Sequence, residues 1–364
     1  MRIGIFDPYL DDLGGGEKYM ITVAECLSKN HQVYIFWDNK KDLEELLKRF
    51  TVDLSKVDLT KNIFSKGFGF LKKILESRKY DAIIVLSDGS IPLLLSKKLF
   101  IHFQQPFPNI KLSQKTNIKK TRVNSFFSNS NFTKSFVDKE FKINSKVIYP
   151  PVGIKAKINE KENIILHVGR FRVKDVTTRV KGIETAIGDY KKQSVMLETF
   201  KEMIGKGLKG WKFVLAVSVN DDELKIFEEF KKNAEGYPIE FLINKPNDKL
   251  WEVYARAKIY WHASGYGENL TEHPEYAEHF GISTVEAMGA GCVPVVINAG
   301  GQKEIVTENK NGFLWDSLEE LQDKTLKLIH DQGLLSKFSK QAEEDANKFS
   351  KEKFCKEIND LVLQ

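Results

Sequence analysis

The sequence predicts an α/β protein of two doubly wound domains, each a parallel sheet with helices on both faces. Three observations lead there. Short apolar runs alternate with longer segments of helical apolar spacing, and this alternation runs through the first half of the chain and then restarts. The length of 364 residues matches two domains of ordinary size. Between the two runs lies Tyr149-Pro-Pro-Val-Gly153, followed by polar residues, which interrupts both periodicities. The domains are therefore expected at 1–153 and 154–349. The amphipathic C-terminal helix at 350–364 is expected to pack back onto the first.

Each element has a local reason. Ile3–Phe6 is a short apolar run and reads as a buried strand; Lys18–Leu27 has apolar residues at helical spacing. Gln32–Trp37 is the next strand, and a charged helix follows around Asp42–Arg49. Ala82–Leu86, Leu99–Phe103 and Ser125–Ser128 are further strands, and Val147–Ile148 begins another before Pro150-Pro151. In the second half, Ile164–Val168 is a strand ending at Gly169 and Met196–Ile204 a helix. Phe213–Val219, Ile239–Ile243, Ile259–His262 and Val293–Ile297 complete the strands, with helices between. Ligands of such sheets bind beyond the carboxyl ends of the strands, so two facing domains would share one interdomain cleft.

Composition narrows the class. Hydrophobic residues make up 41% and charged residues 29%, values that exclude disorder, collagen and a disulfide-built scaffold as the main plan. Cys26, Cys292 and Cys355 stand far apart without a Cys/His cluster. Neither structural zinc nor a disulfide framework is expected, and a reducing compartment fits. The N-terminus shows no signal-peptide pattern, and no apolar run reaches the ~18 residues of a membrane span. The expected location is the cytoplasm, free or peripheral at a membrane. The net charge of +6 is uneven: +9 for residues 1–153 and −3 for 154–364. No acidic residue occurs at positions 89–137, where eight are basic. A field of one sign attracts an anionic partner.

Two motifs sit where such sheets bind ligands. Gly14-Gly15-Gly16-Glu17 follows the first strand and opens a helix, offering backbone N–H groups to an anion. A phosphate cradle and a flexible helix cap both fit it. Dinucleotide binding, with Asp38 as the ribose acid, fits less well, because Tyr19 stands where the last glycine of G-x-G-x-x-G would be. The second motif is Glu278-His-Phe-Gly281-Ile-Ser-Thr-Val-Glu286, two carboxylates eight residues apart around a glycine. A helix is expected from about Ser283, with Glu286 in its first turn. Carboxylates accept hydrogen bonds from hydroxyls and a helix N-terminus receives a phosphate, so the pair suits a phosphorylated sugar. A capped surface helix with two solvated glutamates is the plain alternative.

The E-x7-E filling, followed by Gly-Cys292-Val-Pro294-Val, resembles the signature of family 4 retaining glycosyltransferases, which have the GT-B fold. His167-Val-Gly169-Arg170-Phe171, Tyr254-Ala-Arg-Ala257, Gly300-Gly301-Gln-Lys-Glu304, Ser128-Asn-Ser130 and Val147-Ile-Tyr-Pro-Pro-Val152 are similar to further landmarks of that family. Pro8-Tyr9, Gly14-Gly-Gly-Glu17, His102 and Glu278-His-Phe-Gly-Ile282 resemble the cytosolic α-1,2-mannosyltransferases of the dolichol pathway, which use GDP-mannose. No counterpart of that subgroup's membrane-spanning N-terminus is expected in this chain.

The resemblance implies roles. Glu278 would lie at the transferred sugar and Glu286 at the nucleotide ribose. Phe280, Gly281 and Ile282 would present N–H groups to sugar hydroxyls and phosphate. Arg170 and a lysine would neutralise the diphosphate leaving group. Lys192 is chosen for its register before the Met196–Phe200 helix, with Lys181 as alternative, and residues 171–190 read as an inserted loop. His102 would reach the sugar pocket, and Gly15 and Gly16 would approach the diphosphate from the first domain. No cofactor and no metal is expected beyond the nucleotide sugar, GDP-mannose favoured over a UDP-sugar.

The acceptor would be a glycan or lipid-linked glycan. Lys111, Lys115, Lys119, Lys120 and Arg122, together with the phenylalanines among lysines at 64–73, suit peripheral contact with a membrane or an anionic acceptor. A solvated lysine face beside core phenylalanines is the other reading. No nucleic-acid recognition motif is present. A GT-B sugar-nucleotide epimerase or hydrolase, a silent nucleotide-sugar sensor and an NAD-dependent oxidoreductase are the alternatives.

Overall fold

A computed structural model describes residues 1–12, 14–110, 112–153, 160–171 and 190–364. Lys111, Lys174 and Lys181 lie outside these residues, as does the 171–190 segment apart from its two end residues.

The chain forms two compact units, Met1–Pro151 with Phe349–Gln364, and Val152–Lys348. Unit 1 contains β1 (Arg2–Phe6), α1 (Gly15–Ser28), β2 (Gln32–Phe36), α2 (Lys40–Arg49), β3 (Val57–Thr60), α3 (Phe70–Ser77) and β4 (Ala82–Leu86). It continues with β5 (Lys98–Phe103), α4 (Gln114–Lys120), β6 (Ser125–Ser128), α5 (Asn131–Phe141) and β7 (Lys146–Val147). Its sheet is wholly parallel in the order β3-β2-β1-β4-β5-β6-β7. The apolar run Ala82–Leu86 is buried along its whole length, as a central parallel strand must be. Helix starts are locally encoded. Asn39 caps α2 by accepting from Lys41 N–H, with Asp42 in the first turn and Lys48 and Arg49 in the last. Ser130 caps α5 through Thr133 N–H at 3.0 Å.

Unit 2 contains β8 (Glu162–Arg170), α6 (Gln193–Gly205), β9 (Lys212–Ser218), α7 (Leu224–Lys232), β10 (Ile239–Ile243), α8 (Asn247–Arg256) and β11 (Ala257–His262). Then come α9 (Ile282–Gly289), β12 (Val293–Ile297), α10 (Gln302–Ile305), β13 (Phe313–Trp315), α11 (Leu318–His330) and α12 (Gln332–Ala346). The order β10-β9-β8-β11-β12-β13 repeats the plan of unit 1, again all parallel. In each sheet the winding reverses beside the first strand, between β1 and β4 and between β8 and β11. Those crevices are where this architecture takes ligands.

Two strands escaped the sequence reading. β3 is a four-residue edge strand containing Asp58, and β13 is a three-residue edge strand paired only with β12. Neither is long enough to show a period.

The last helix, α13 (Lys351–Leu363), belongs to unit 1 and packs on α1. It buries Phe354, Ile358, Leu361 and Val362, each contributing about 1.5–3 kcal/mol. Phe354 meets Tyr19 edge-on at 4.9 Å, Lys351 pairs with Glu25 at 2.6 Å, and Lys98 Nζ donates to the Val362 carbonyl at 2.9 Å. This docking corrects the cysteine expectation. Cys26 and Cys355, 329 residues apart in sequence, are joined in a disulfide with Cα atoms 5.1 Å apart. Only Cys292 is a free thiol, buried and pushed up to about 11 by that burial. Among the described residues, no helix is long and apolar enough to cross a membrane.

Candidate active site

In unit 2 the candidate residues gather at the carboxyl ends of β8 and β11. His262 closes β11, and the loop that follows brings Glu278 back to it: His262 Nε2–H donates to Glu278 Oε2 at 3.0 Å. Lys191 Nζ donates to the same oxygen at 2.5 Å. Burial pushes the Glu278 carboxyl upward, but Lys191 and His262 outweigh it and hold it well below the usual carboxylate range. Burial lowers the His262 pKa, with Glu278 opposing, and His262 Nδ1 is buried without a partner. Behind them His167, pushed down to about 3 by burial first and His262 second, donates from Nδ1 to the Trp261 carbonyl at 3.0 Å. Tyr190 sits beside Lys191 with its hydroxyl on the carbonyls of Glu275 and Ala277, at 3.1 and 3.2 Å.

The glycine positions explain how the Glu278 loop is held. Gly301 N–H donates to the Glu278 carbonyl at 2.8 Å. A Cβ on Gly300, whose φ is +59°, would stand 2.3 Å from that oxygen. A Cβ on Gly301 would stand 2.4 Å from Phe280 Cα. Only glycines allow the two segments to touch. Gly281 has φ +116° and caps α9, and a Cβ there would meet Gln302 Nε2 at 2.8 Å. The Gln302 amide is wholly buried without a partner.

The structure places the unit 2 residues singled out in the sequence as follows. Glu278, Phe280, Gly281 and Ile282 form one continuous turn into α9, whose first N–H groups have no acceptor within the helix. Phe280 is buried. Glu286 is the fifth residue of α9, one position further in than expected because the helix begins at Ile282, and accepts from Tyr254 OH at 3.2 Å. Arg170 ends β8, and its carbonyl accepts from Gln193 Nε2 at 3.2 Å. Lys192 precedes α6 with φ +55°, and its Nζ pairs with Glu268. Its neighbour Lys191 is the lysine that reaches Glu278.

In unit 1, Gly15 and Gly16 form the first turn of α1. A Cβ on Gly16 would stand 2.5 Å from Gln104 Oε1, and Gln104 Nε2 donates to the Gly16 carbonyl at 3.1 Å. Gly14 N–H donates to Glu17 Oε2 at 2.7 Å. Two residues given no role of their own in the sequence reading dominate this end. Asp7 closes β1 and Glu17 lies in α1, both buried. Burial first, and negative neighbours, push Asp7 up to about 7 and Glu17 up to about 8. Asp11 and Asp12 add to the rise of Asp7, and Asp7 and Asp12 to that of Glu17, while the backbone N–H groups of Tyr9 and Gly14 oppose it. His102, in β5, is 0% exposed and stacked between Tyr19 at 4.1 Å and Phe127 at 4.4 Å. Its Nδ1–H donates to the Phe127 carbonyl at 3.2 Å and its Nε2 is buried without a partner. Burial pushes its pKa down to about 3, so the ring is neutral.

Comparison with known proteins bears on the family and the fold. Residues 154–345, over half of the chain, match the family model of glycosyl transferases group 1. The Dictyostelium discoideum GDP-Man:Man(3)GlcNAc(2)-PP-Dol alpha-1,2-mannosyltransferase is 26% identical over 251 residues, covering 62% of this chain and 44% of that protein. The same organism's alpha-1,3/1,6-mannosyltransferase ALG2 is 24% identical over 429 residues, covering 100% of this chain and 98% of that one. This chain spans less than half the length of the curated alpha-1,2-mannosyltransferases it matches. The structure of Anabaena HepE in complex with UDP superposes with a TM-score of 0.72 at 18% identity, over 99% of this chain and 98% of that one. The fold is therefore GT-B. By its matched domain and this architecture, the chain belongs to the glycosyl transferases group 1 family.

Proposed function

We propose that this chain is a retaining hexosyltransferase that moves mannose from GDP-mannose to a glycan or lipid-linked glycan acceptor. The observation that carries the reading is the Glu278 carboxylate, held ionised by Lys191 and His262 at the mouth of α9. An ionised, pre-positioned carboxylate accepts hydrogen bonds from sugar hydroxyls, while the adjoining helix terminus receives phosphate. In this reading the N–H groups of Phe280, Gly281 and Ile282 hold the sugar phosphate. Arg170 and Lys192 offset the charge that grows on the departing diphosphate. Glu286 accepts the ribose hydroxyls, and the unpartnered Nε2 of neutral His102 accepts a sugar hydroxyl. Gly15 and Gly16 offer the first N–H groups of α1.

These groups supply the charge without a metal. The acceptor oxygen bonds to the anomeric carbon on the face from which the diphosphate departs, the bond from that carbon to the diphosphate oxygen breaks, and this oxygen takes the acceptor's proton, so that no covalent glycosyl-enzyme forms. GDP-mannose is favoured because the relatives' names specify a GDP-Man donor. A UDP-sugar is the second reading, since HepE holds UDP. The protein would act in the cytoplasm at a membrane periphery.

Melting the protein with GDP, UDP, ADP and their sugars tests the donor, because a ligand that binds the folded state raises its melting point. GDP and GDP-mannose are expected to give the largest shifts. A larger UDP shift overturns the mannose donor, and a shift with NAD alone overturns the family of reactions.

A further inference from the structure

We infer that the C-terminal helix α13 positions His102 for the sugar through Phe354 and Tyr19, and that the Cys26–Cys355 disulfide makes this positioning redox-sensitive. The inference rests on the proposed reading for the role of His102 alone. Tyr19, in α1, stacks on the His102 ring at 4.1 Å with the two planes 15° apart, and Phe127 stacks on it at 4.4 Å. Phe354, in α13, meets Tyr19 edge-on at 4.9 Å, and Tyr19 OH donates to the Ile148 carbonyl at 3.0 Å. None of the four side chains is more than 2% exposed. With Nδ1–H committed to the Phe127 carbonyl, Nε2 is the ring nitrogen left for a ligand, and the tilt of the ring sets its direction. Tyr19 holds that tilt, and Phe354 holds Tyr19. Phe354 and Tyr19 are therefore positioning residues, acting through packed rings on the group that would meet the sugar.

Phe354 comes from the far end of the chain, so the stack is complete only while α13 is docked on α1. Cys355, the next residue, is bonded to Cys26, which follows Tyr19 by roughly two turns of α1. The bond anchors α13 beside the stack. Apart from it, α13 is held by its apolar face and by polar ties such as Lys351 to Glu25 and Lys98 to the Val362 carbonyl. The two sulfurs differ in access: Cys26 is wholly buried and Cys355 is partly exposed. A glutathione thiolate would thus attack Cys355 Sγ; the S–S bond breaks, and Cys26 leaves as a thiolate and takes up a proton. A second glutathione thiolate attacks the mixed disulfide, releasing Cys355 and oxidised glutathione. Two electrons pass from two glutathione molecules to the protein disulfide, and oxidised glutathione reverses the exchange. In the cytoplasm, where the proposed reading puts the chain, a disulfide is a redox-responsive element and not a permanent staple.

The test compares the full chain oxidised, reduced with dithiothreitol, and as Phe354→Leu, which keeps an apolar filler but no ring, all well below the melting temperature. Nitrogen NMR of the chain carrying isotope-labelled histidine reads the His102 ring directly, its signals being those lost in His102→Gln. Reduction and Phe354→Leu should each shift these signals, and oxidised glutathione should restore them after reduction. Cys355→Ser should show the reduced pattern and no response to dithiothreitol. In parallel, the affinity for GDP-mannose should fall about threefold to tenfold on reduction, the scale of one hydrogen bond to a sugar hydroxyl, while that for GDP stays within about twofold. A merely structural role for α13 would lower the melting temperature and move neither reading. His102 signals unchanged by reduction and by Phe354→Leu overturn the inference. A mannose contribution that survives both, or a chain that forms no Cys26–Cys355 bond in glutathione buffers, overturns it too. Failure of the proposed reading is distinct: GDP-mannose binding no tighter than GDP in the oxidised chain overturns the donor, while the His102 signals still decide the inference.

Discussion

The carboxyl ends of β1 and β8 are equivalent positions in two sheets of the same winding order, yet they handle buried carboxylates oppositely. Beside β8, Glu278 meets Lys191 and His262 and stays charged. Beside β1, burial first and then neighbouring acids push Asp7 and Glu17 toward the neutral form, opposed only in part by the N–H groups of Tyr9 and Gly14. The fold fixes where a ligand goes, but the local partners fix what kind of ligand it is. The unit 2 end holds a fixed negative charge next to Arg170, Lys192 and a helix terminus, a set that suits a sugar diphosphate. The unit 1 end offers carboxyls pushed toward the neutral form and a neutral imidazole, which suit uncharged hydroxyls.

The comparison can be broken most strongly at Lys191. Lys191→Ala leaves Glu278 buried with His262 alone, and should cost about 2–4 kcal/mol in denaturant unfolding of unit 2. Lys192→Ala removes only the pair with Glu268, whose side chain is 30% exposed, and should cost about 1 kcal/mol or less. Equal costs would remove the distinction between the two lysines. Next in size, reducing the Cys26–Cys355 disulfide, or Cys355→Ser, should lower unit 1 stability by about 2–4 kcal/mol. The melting temperature with and without reductant reads this, and Cys292→Ser should leave the reductant effect intact.

Stability should also depend on pH. Asp7 and Glu17 bind protons more tightly folded than unfolded. Folding therefore takes up protons, and stability should fall as pH rises from about 4 to about 8. Glu278 has the opposite sign, adding stability above the ordinary carboxylate range and losing it as pH falls through its lowered folded pKa. Asp7→Asn should flatten the fall between pH 5 and pH 8 in thermal melts. A slope unchanged by Asp7→Asn would remove Asp7 from this account.

Much of this was legible in the residues. Continuous apolar runs such as Ala82–Leu86 and Val293–Ile297 marked central strands because both faces are buried. The spacing of Glu278 and Glu286 around Gly281 marked the turn into α9. Lys191 was hidden because adjacent lysines precede α6, and only the positive φ of Lys192 turns one to Glu268 and leaves the other for Glu278. The Cys26–Cys355 bond was illegible because, although the last helix was expected on the first domain, spacing does not encode that it docks on α1 with these two positions facing each other. The burial of Asp7 and Glu17 was not legible either, although Glu17 ends the glycine motif: a carboxylate's burial is a property of what packs around it.

The central claim is that Glu278 holds the transferred sugar. It is tested most directly by measuring GDP and GDP-mannose binding, together with radiolabelled mannose transfer, for the unaltered chain and for Glu278→Gln. The account predicts that Glu278→Gln keeps its affinity for GDP, loses the additional affinity contributed by the mannose, and loses transfer by on the order of a hundredfold or more. Transfer and GDP-mannose affinity that both survive the substitution would contradict it.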